Sequence, residues 1–271
     1  MIESNDQYGE VESCFKKIKE AVVAYFKQID LSKFQHSSKA KGEIVTSIDS
    51  DVEALIVNLI RESFPEHGII AEEGANFESR DGHTWFVDPI DNTVGLVAGE
   101  EEVSVSVSLK NGDEHIYSLV INIKTGDVFE VGNNGSFKNG EAIKTFEGAL
   151  ESKTRAISTC GYVNPANLER WREVMKILLE NRYPIRISGG AALDLCHVAE
   201  GKRAGHISLG AHPWDVEAGF HIAKSAGGVV EVLGIFPERN SVAFIVSSNE
   251  GVHMKIKQLL GSLIVFSDGN R

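Results

Sequence analysis

Trp85-Phe86-Val87-Asp88-Pro89-Ile90-Asp91-Asn92-Thr93 is the stretch around which the rest of the chain is interpreted. Its apolar run ends in Asp88, and Pro89 offers the fixed φ of a first helical position. On a helix that begins there, Asp91 would stack over Asp88 and free N–H groups would favour a phosphate. Two such carboxylates repel each other unless a cation lies between them, and oxygen ligands suit Mg²⁺. The stretch therefore predicts either a metal site or an acidic helix cap after a buried strand.

Length and composition are those of an ordinary soluble protein. The 271 residues suit one large domain or two closely packed halves, and 42% of them are apolar. Apolar runs stay well short of the roughly 18 residues that a membrane span needs. Residues 1–6 lack the basic and then apolar pattern of a secretory signal. We therefore expect a cytoplasmic protein with no membrane partner.

The net charge limits the kind of binding partner, and the cysteines limit the kind of cross-link or metal cluster. A net charge of −12 disfavours the basic surface that a nucleic-acid polymer requires. A small anionic substrate is still compatible with this negative charge, because bound divalent cations can reverse the sign of the electric field in an acidic cleft. Cys14, Cys160 and Cys196 are odd in number and widely separated. This spacing predicts reduced structural thiols and argues against disulfides or a zinc cluster.

The first half reads as two amphipathic helices followed by strands. Apolar residues recur with a helical period over 10–29 and 52–64, and Asp49 lies where the second helix starts. Asp49 is thus either an N-cap or a site residue. A short strand over 69–74 contains Glu72 and Glu73, a kind of acid pair that usually lies in solvent.

More strands follow before a polar boundary. Valines alternate with serines over 103–109, which predicts a strand, and others are expected over 116–123 and 128–131. The glycine-rich run 132–140 lacks the Gly-Lys-Ser/Thr ending of a phosphate loop, so we interpret it as hairpin turns. The polar segment 145–153 divides the chain into halves 1–148 and 149–271.

The second half alternates strands and helices. Strands are predicted over 155–158, 185–187, 204–209, 229–233 and 242–246, and helices over 168–179, from 188, over 212–227 and over 249–260. The small residues at 188–192 either admit a ligand to the backbone or allow close packing. Asp215 lies at a helix start, as the acids of the first stretch were expected to do.

Four motifs together resemble the inositol monophosphatase family of the fructose-1,6-bisphosphatase superfamily. They are Val-Thr-Ser-Ile-Asp at 45–49, Ala-Glu-Glu-Gly at 71–74, Asp-Pro-Ile-Asp-Asn-Thr at 88–93 and Trp-Asp-Val-Glu-Ala-Gly at 214–219. The resemblance implies a mixed α/β, layered αβαβα sugar-phosphatase fold with an antiparallel-rich first half. It also implies Mg²⁺-dependent hydrolysis of a small phosphorylated metabolite by metal-activated water, lithium sensitivity and a homodimer.

The resemblance also assigns roles to residues of this chain. Two or three Mg²⁺ ions would be held by Glu72, Asp88, the carbonyl of Ile90, Asp91 and Asp215. The catalytic residues would be Thr93, Asp49 and Glu72. Of these, Thr93 with Asp49 would orient and deprotonate the attacking water. Phosphate and substrate would contact Asn92, Thr93, Gly189, Gly190, Ala191 and Ser208.

The chain departs from the family's pattern in ways that affect function. Asn92 replaces a usual glycine, Gly95 and Leu96 replace Asn-Phe, and Ser208 stands where animal members have an acid that contacts inositol. Asparagine tolerates positive φ, so the turn can survive with a changed phosphate pocket. The alternatives are a nucleotide 3′-phosphatase or sugar bisphosphatase of the same superfamily and, in another class, a metal-binding regulatory protein without turnover.

Overall fold

The computed structural model describes residues 5–30, 36–38, 44–132, 135–159 and 167–266. The helices in these ranges are α1 (Asn5–Gln28), α2 (Ser47–Ser63), α3 (Thr93–Ala98), α4 (Leu168–Glu180), α5 (Ala191–Ala199), α6 (Pro213–Ser225) and α7 (Glu250–Leu260). None of these described helices combines the length and apolar character that a membrane crossing requires.

The strands of the same ranges are β1 (His36–Ser38), β2 (Ile44–Thr46), β3 (Gly68–Ala71), β4 (Asn76–Phe77), β5 (His83–Asp91), β6 (Ser104–Asn111), β7 (Glu114–Asn122), β8 (Val128–Gly132), β9 (Gly135–Lys138), β10 (Glu141–Ala142), β11 (Ala156–Thr159), β12 (Ile185–Ile187), β13 (Arg203–Ala211), β14 (Val229–Phe236) and β15 (Ser241–Ser247). Most of the predicted elements are present, with ends moved by a few residues.

Two main sheets organise the described strands. The first has the order β10-β9-β8-β7-β6-β5-β3-β4 and is antiparallel except where β3 pairs with β5. The second has the order β12-β11-β13-β15-β14, with β11 parallel to both of its neighbours. The antiparallel-rich first half and the alternating second half are therefore confirmed.

Helices and sheets stack as five layers. Helices α1 and α2 cover one face of the first sheet, where Phe15 stacks on the fully buried Trp85 with ring centroids 4.9 Å apart. Helices α5 and α6 fill the space between the sheets, packing against Val120 of the first and Phe244 of the second. Helices α4 and α7 contribute to the core on the outer face of the second sheet. This order of layers confirms the αβαβα expectation.

The valine and serine alternation of β6 forms the expected strand, but both of its faces are buried. Ser104, Ser106 and Ser108 are each 0% exposed. The hydroxyl of Ser108 pairs with that of Ser118 at 2.9 Å, and Ser106 donates to the carbonyl of Trp214 at 3.3 Å. Small hydroxyl side chains are suited to this face because they let α6 approach closely and still satisfy their hydrogen bonds.

Two other sequence predictions fall partly outside the described residues. In the glycine-rich run, 133–134 lie outside, while β9 and β10 form the expected hairpin around Asn139 (φ 52°) and Gly140 (φ 81°). Cys14 and Cys196 are buried free thiols, as expected. Cys160 lies outside the described residues.

Candidate active site

Strand β5 brings Asp88 and Asp91 together by a bulge. The helix predicted at Pro89 is wrong, because β5 runs to Asp91 and α3 begins at Thr93. Asp88 is opposite Ser106 and Asp91 opposite Ser104, so three steps on β5 match two on β6. In a regular strand, the side chains of residues three apart point to opposite faces of the sheet. One extra residue between them, as in a bulge, brings both side chains to the same face. The proximity of the two acids is thus produced by a strand irregularity, not by helical stacking.

Asp88 lies at the centre of a group of acids. It is 2% exposed, and its Oδ1 accepts the N–H of Ile90 at 2.9 Å. Burial raises the pKa of Asp88 well above its usual range, and the charges of Glu72, Asp91 and Asp215 raise it further. Carboxylates in such a group must take up protons or share a cation. The oxygen-only donor set, which the carbonyl of Ile90 extends, fits a hard divalent ion.

Asp91 also joins the first half of the chain to the second. Its carboxylate oxygens accept the N–H groups of Ala191 at 3.2 Å and Ala192 at 2.9 Å, at the start of α5. Ser104 makes a longer contact with it, at 3.4 Å. Burial raises the pKa of Asp91 to about 7 even though these hydrogen bonds favour the ionised form. The acid is therefore oriented before any ligand arrives.

Asp49 and Thr93 are in contact, as their predicted joint role requires. The Oγ1 of Thr93 lies 3.1 Å from Oδ1 of Asp49 and 3.1 Å from the carbonyl oxygen of Ile90. Asp49 is fully buried, and its other oxygen accepts both the N–H and the hydroxyl of Thr46. Asp49 is not the N-cap: Thr46 caps α2, and Asp49 completes the capping box. The structural and functional interpretations of Asp49 are thus compatible, because its two oxygens serve different partners.

Glu72 and Asp215 approach Asp88 from two other elements. Glu72 follows β3, and its backbone N–H donates to the carbonyl of Val87 at 3.2 Å. It is half-buried and hydrogen-bonds to the side chain of Asp88, so it is not a solvated surface acid. Asp215 is the third residue of α6, where its carboxylate accepts the N–H of His212 at 2.8 Å. Asp215 therefore lies at a helix start, as predicted.

Glu53 is a supporting residue that the sequence reading missed. It is 7% exposed on α2, and its two oxygens accept the N–H groups of Glu73 at 2.7 Å and Ala75 at 3.0 Å. These bonds hold the turn that carries Glu72. A charged residue beside Val52 on the buried face of the helix is the signal that could have revealed it.

The small residues before α5 pack closely against the acids. A Cβ on Gly190 would lie 2.8 Å from Oδ2 of Asp91, and one on Gly189 would lie 2.8 Å from Oδ1 of Asn92. Close packing thus accounts for Gly190, and at Gly189 the positive φ of 90° favours glycine as well. Ser208 is 2% exposed in β13, and the hydrogen bond described for its hydroxyl is from the N–H of Gly210 at 3.4 Å. A contact between Ser208 and a substrate stays a prediction.

Asn92 has the positive φ that its place in the motif led us to expect, with φ 72° and ψ 55°. As the N-cap of α3, its Oδ1 accepts the N–H of Gly95 at 3.0 Å. Its Nδ2 donates to the carbonyls of Glu102 at 2.8 Å and Ser188 at 3.2 Å. The side chain thus has structural partners that the sequence did not reveal.

A second cluster of ligand-type side chains lies at the opposite end of β5. Within the described ranges, His67, Asp81 and His83 bring three ligand atoms within 4.8 Å of one another, a spacing that the acids around Asp88 do not reach. Trp85 donates to Nδ1 of His67 at 2.9 Å, so neutral His67 carries its proton on Nε2, 3.3 Å from Asp81. The imidazoles of His67 and His83 stack with an interplanar angle of 14°, and Nδ1 of His83 lies 3.2 Å from the same oxygen of Asp81, so the carboxylate between the rings accounts for both nitrogens. We interpret this cluster as structural.

Comparison with known proteins agrees with the geometry. The model of the inositol monophosphatase family matches residues 5–254. The chain belongs to this family. The Nus factor SuhB of Vibrio cholerae is 31% identical over 228 residues, which cover 81% of this chain and 84% of that protein. The fructose-1,6-bisphosphatase/inositol-1-monophosphatase of Aquifex aeolicus is 31% identical over 225 residues, covering 82% and 83%.

The fold is shared with solved structures of the same family. The inositol monophosphatase of Thermotoga maritima superposes with a TM-score of 0.75 at 28% identity, covering 96% of this chain and 98% of that chain. The resemblance stated from the four motifs is therefore confirmed, as is the α/β fold class. Family membership supports a phosphatase acting on small phosphorylated substrates.

Proposed function

We propose that this protein is a Mg²⁺-dependent phosphatase that hydrolyses small phosphate monoesters. The observation that carries the proposal is the grouping of Glu72, Asp91 and Asp215 around the buried Asp88, whose pKa is raised by burial and then by their charges. Two or three ions would be held by these acids and the carbonyl of Ile90. Bound Mg²⁺ would neutralise phosphate charge and acidify a water molecule.

Thr93 and Asp49 supply the path for the proton of the attacking water. The water's proton passes to Oγ1 of Thr93, whose own proton passes to Oδ1 of Asp49 at 3.1 Å. The carbonyl oxygen of Ile90, also 3.1 Å from Oγ1, is the alternative acceptor for the same hydroxyl proton. The water oxygen then attacks phosphorus in line, the bond from phosphorus to the alcohol oxygen breaks on the opposite side, and the leaving alkoxide takes up a proton from solvent water. The backbone N–H groups of Asn92 and Thr93 orient the phosphate oxygens.

The test is release of inorganic phosphate from a panel of monoesters, measured with Mg²⁺ and with EDTA. The panel includes inositol monophosphates, nucleotide 3′-phosphates and sugar bisphosphates, because the two related enzyme classes remain alternatives. We expect release that depends on Mg²⁺ and is inhibited by Li⁺, a small ion able to replace one Mg²⁺. Absence of release from every monoester at saturating Mg²⁺ would overturn the proposal.

The second candidate function is that of a metal-binding regulatory protein. The 31% identity to a Nus factor supports this alternative. Isothermal calorimetry with Mg²⁺, taken together with the phosphate-release assay, separates the two. A regulatory protein without turnover would bind the metal and release no phosphate. The homodimer and the cytoplasmic location are further parts of the proposal, for which light scattering and cell fractionation are the measurements.

Substrate preference is a prediction that depends on Ser208. Without an acid at this position, one charged hydrogen bond to an inositol hydroxyl would be missing, which is about 1.5–3 kcal/mol or roughly ten- to a hundredfold. We therefore expect kcat/KM for myo-inositol 1-phosphate to be similar to that for other small monoesters. A preference for it above about a hundredfold would contradict this prediction.

A further inference from the structure

The side chain of Asn92 connects three segments around the candidate active site. Besides capping α3, it donates to the carbonyl of Glu102, just before β6, and to the carbonyl of Ser188, which is 96 residues away. It also contacts the carboxylate of Glu100 at 3.4 Å. A backbone glycine at this place could adopt the same φ but could make none of these bonds.

The segment that Asn92 reaches is held from its other side by a buried acid. The hydroxyl of Ser188 lies 2.8 Å from Oδ2 of Asp194, which is fully buried in α5, and 3.2 Å from the carbonyl of Gly190. Asp194 in turn contacts Nδ1 of His206 at 3.4 Å. Ser188, three residues before the start of α5, is thus hydrogen-bonded both to the core of the second half and to the turn that follows the acids of β5.

We infer that Asn92 is a positioning residue: by holding Ser188, its side chain fixes the entry to α5 against Asp91. This entry includes Gly190 and Ala191, which the family resemblance assigns to phosphate and substrate contacts; within this inference we place them on the alcohol side of the site. The kinetic consequence rests on the proposed phosphatase function, whereas the structural consequence does not. Asn92 therefore sets the distance between the phosphate side and the alcohol side of the site.

The test variant is Asn92→Gly, because glycine keeps the backbone N–H and accepts φ 72° without strain. The matched control is Asn139→Gly. Asn139 also has positive φ, and its side chain also bonds to a neighbouring segment, accepting the N–H of Val128 and donating to Asp127. It lies in the β9–β10 hairpin, away from the acids. Both variants are checked by circular dichroism before use.

Hydrogen exchange measures the positioning directly, with no need for turnover. In Asn92→Gly we expect the amides of Ala191 and Ala192 to exchange about tenfold faster, the scale of losing one hydrogen bond. Ser188→Ala, which removes the bond to Asp194, should accelerate the same amides to a smaller degree. In Asn139→Gly the exchange of these amides should equal that of the wild type.

Kinetics measures the consequence for substrate. We expect Asn92→Gly to raise KM about tenfold for a monoester with a bulky polyol, with kcat changed less than about threefold. The inhibition constant of inorganic phosphate should change less than KM does, since Asn92→Gly retains the backbone N–H groups of Asn92 and Thr93 and loses only the side-chain cap of α3. Asn92→Asp keeps the acceptor to Gly95, but it removes both donors and places a second carboxylate against Glu100, so it should raise KM at least as much as Asn92→Gly does.

The outcomes separate this inference from the proposed function. Unchanged exchange at Ala191 and Ala192 in Asn92→Gly would overturn the positioning role, whatever the activity. Equal acceleration in Asn139→Gly would also overturn it, because the effect would then be global loosening. A wild-type protein that releases no phosphate would refute the proposed function, and the exchange experiment would still decide the role of Asn92.

Discussion

At the scale of single residues, the candidate active site depends on acids whose two oxygens have different partners. Asp49 completes a helix cap with one oxygen and contacts the hydroxyl of Thr93 with the other. Asp91 divides its oxygens between two backbone N–H groups of α5. Because these bonds fix each carboxylate before ligands bind, little ordering entropy is lost when a substrate arrives.

Thr93→Ala should lower kcat by roughly a hundredfold or more, which is the usual scale of general-base assistance. The methyl side chain cannot pass a proton to Asp49. The Mg²⁺ concentration for half-maximal activity should change little, since the hydroxyl carries no charge. Thr93→Ser retains the hydroxyl and is the control. If Mg²⁺ affinity collapses in Thr93→Ala, the residue is structural and the water is activated elsewhere.

Asp91→Asn should reduce turnover by at least about a hundredfold at every Mg²⁺ concentration, because a neutral amide would be a much weaker Mg²⁺ ligand than the carboxylate it replaces. The amide also turns a donor toward the N–H of Ala191 or Ala192, so the start of α5 should loosen. Steady-state kcat across a Mg²⁺ titration is the measurement. Ser104→Ala, which removes a contact of 3.4 Å, is the mild control. Near-wild-type kcat at low Mg²⁺ would remove Asp91 from the site.

At the scale of secondary-structure elements, the site is assembled by an irregular strand and two helix starts. The bulge near the end of β5 places Asp88 and Asp91 on one side of the sheet. The start of α6 adds Asp215, and α2 supports the turn of Glu72 through Glu53. The candidate metal ligands therefore lie at or near the ends of their elements, whereas the supporting Glu53 lies within α2.

Glu53→Ala should raise the Mg²⁺ concentration for half-maximal activity about tenfold without removing a ligand. The change leaves the N–H groups of Glu73 and Ala75 without their charged acceptor, and such bonds are worth about 1.5–3 kcal/mol each. The turn that carries Glu72 then becomes mobile, while kcat at saturating Mg²⁺ should stay close to wild type. Glu53→Gln retains one acceptor oxygen and should give a smaller effect. An unchanged Mg²⁺ requirement in Glu53→Ala would show that the turn does not need this support.

At the scale of the whole molecule, the site lies where the two halves of the chain meet. The division into 1–148 and 149–271 stays a proposal, but residues of both contribute to one buried cluster, in which Val120 and Phe129 pack with α5 and α6. The halves are therefore not expected to fold independently. Buried acids at their junction destabilise the metal-free protein, since ionised carboxylates repel each other there.

The stability gained from Mg²⁺ should increase with pH. The pKa of Asp91 is raised to about 7 in the folded, metal-free chain, against 3.8 as its ordinary value. The folded state therefore holds a proton that the unfolded state has lost, and metal-free stability should fall as pH rises from about 4 to 7. Bound Mg²⁺ replaces that proton, so its binding is favoured at high pH.

Thermal unfolding with and without saturating Mg²⁺ measures this linkage. We expect the increase in Tm to be on the order of 5 °C at pH 8 and much smaller at pH 5, as binding at about 100 times Kd adds about 2.7 kcal/mol. Asp91→Asn should reduce the difference between the two pH values. An increase in Tm that is equal at pH 5 and pH 8 would contradict the assignment of these acids to the metal.

The amino-acid sequence by itself determined most helices and strands, the order of acids along the chain and the family. Periodicity and local motifs carry this information, because each depends on residues a few positions apart. The tertiary structure decided what depends on distant pairs. The pairing of β5 with β6 contains the bulge between Asp88 and Asp91. The buried Glu53 hydrogen-bonds to the turn that carries Glu72. Contacts across 96 and 101 residues joined Asn92 to Ser188 and Asp91 to Ala192, since such contacts arise only when separate layers pack.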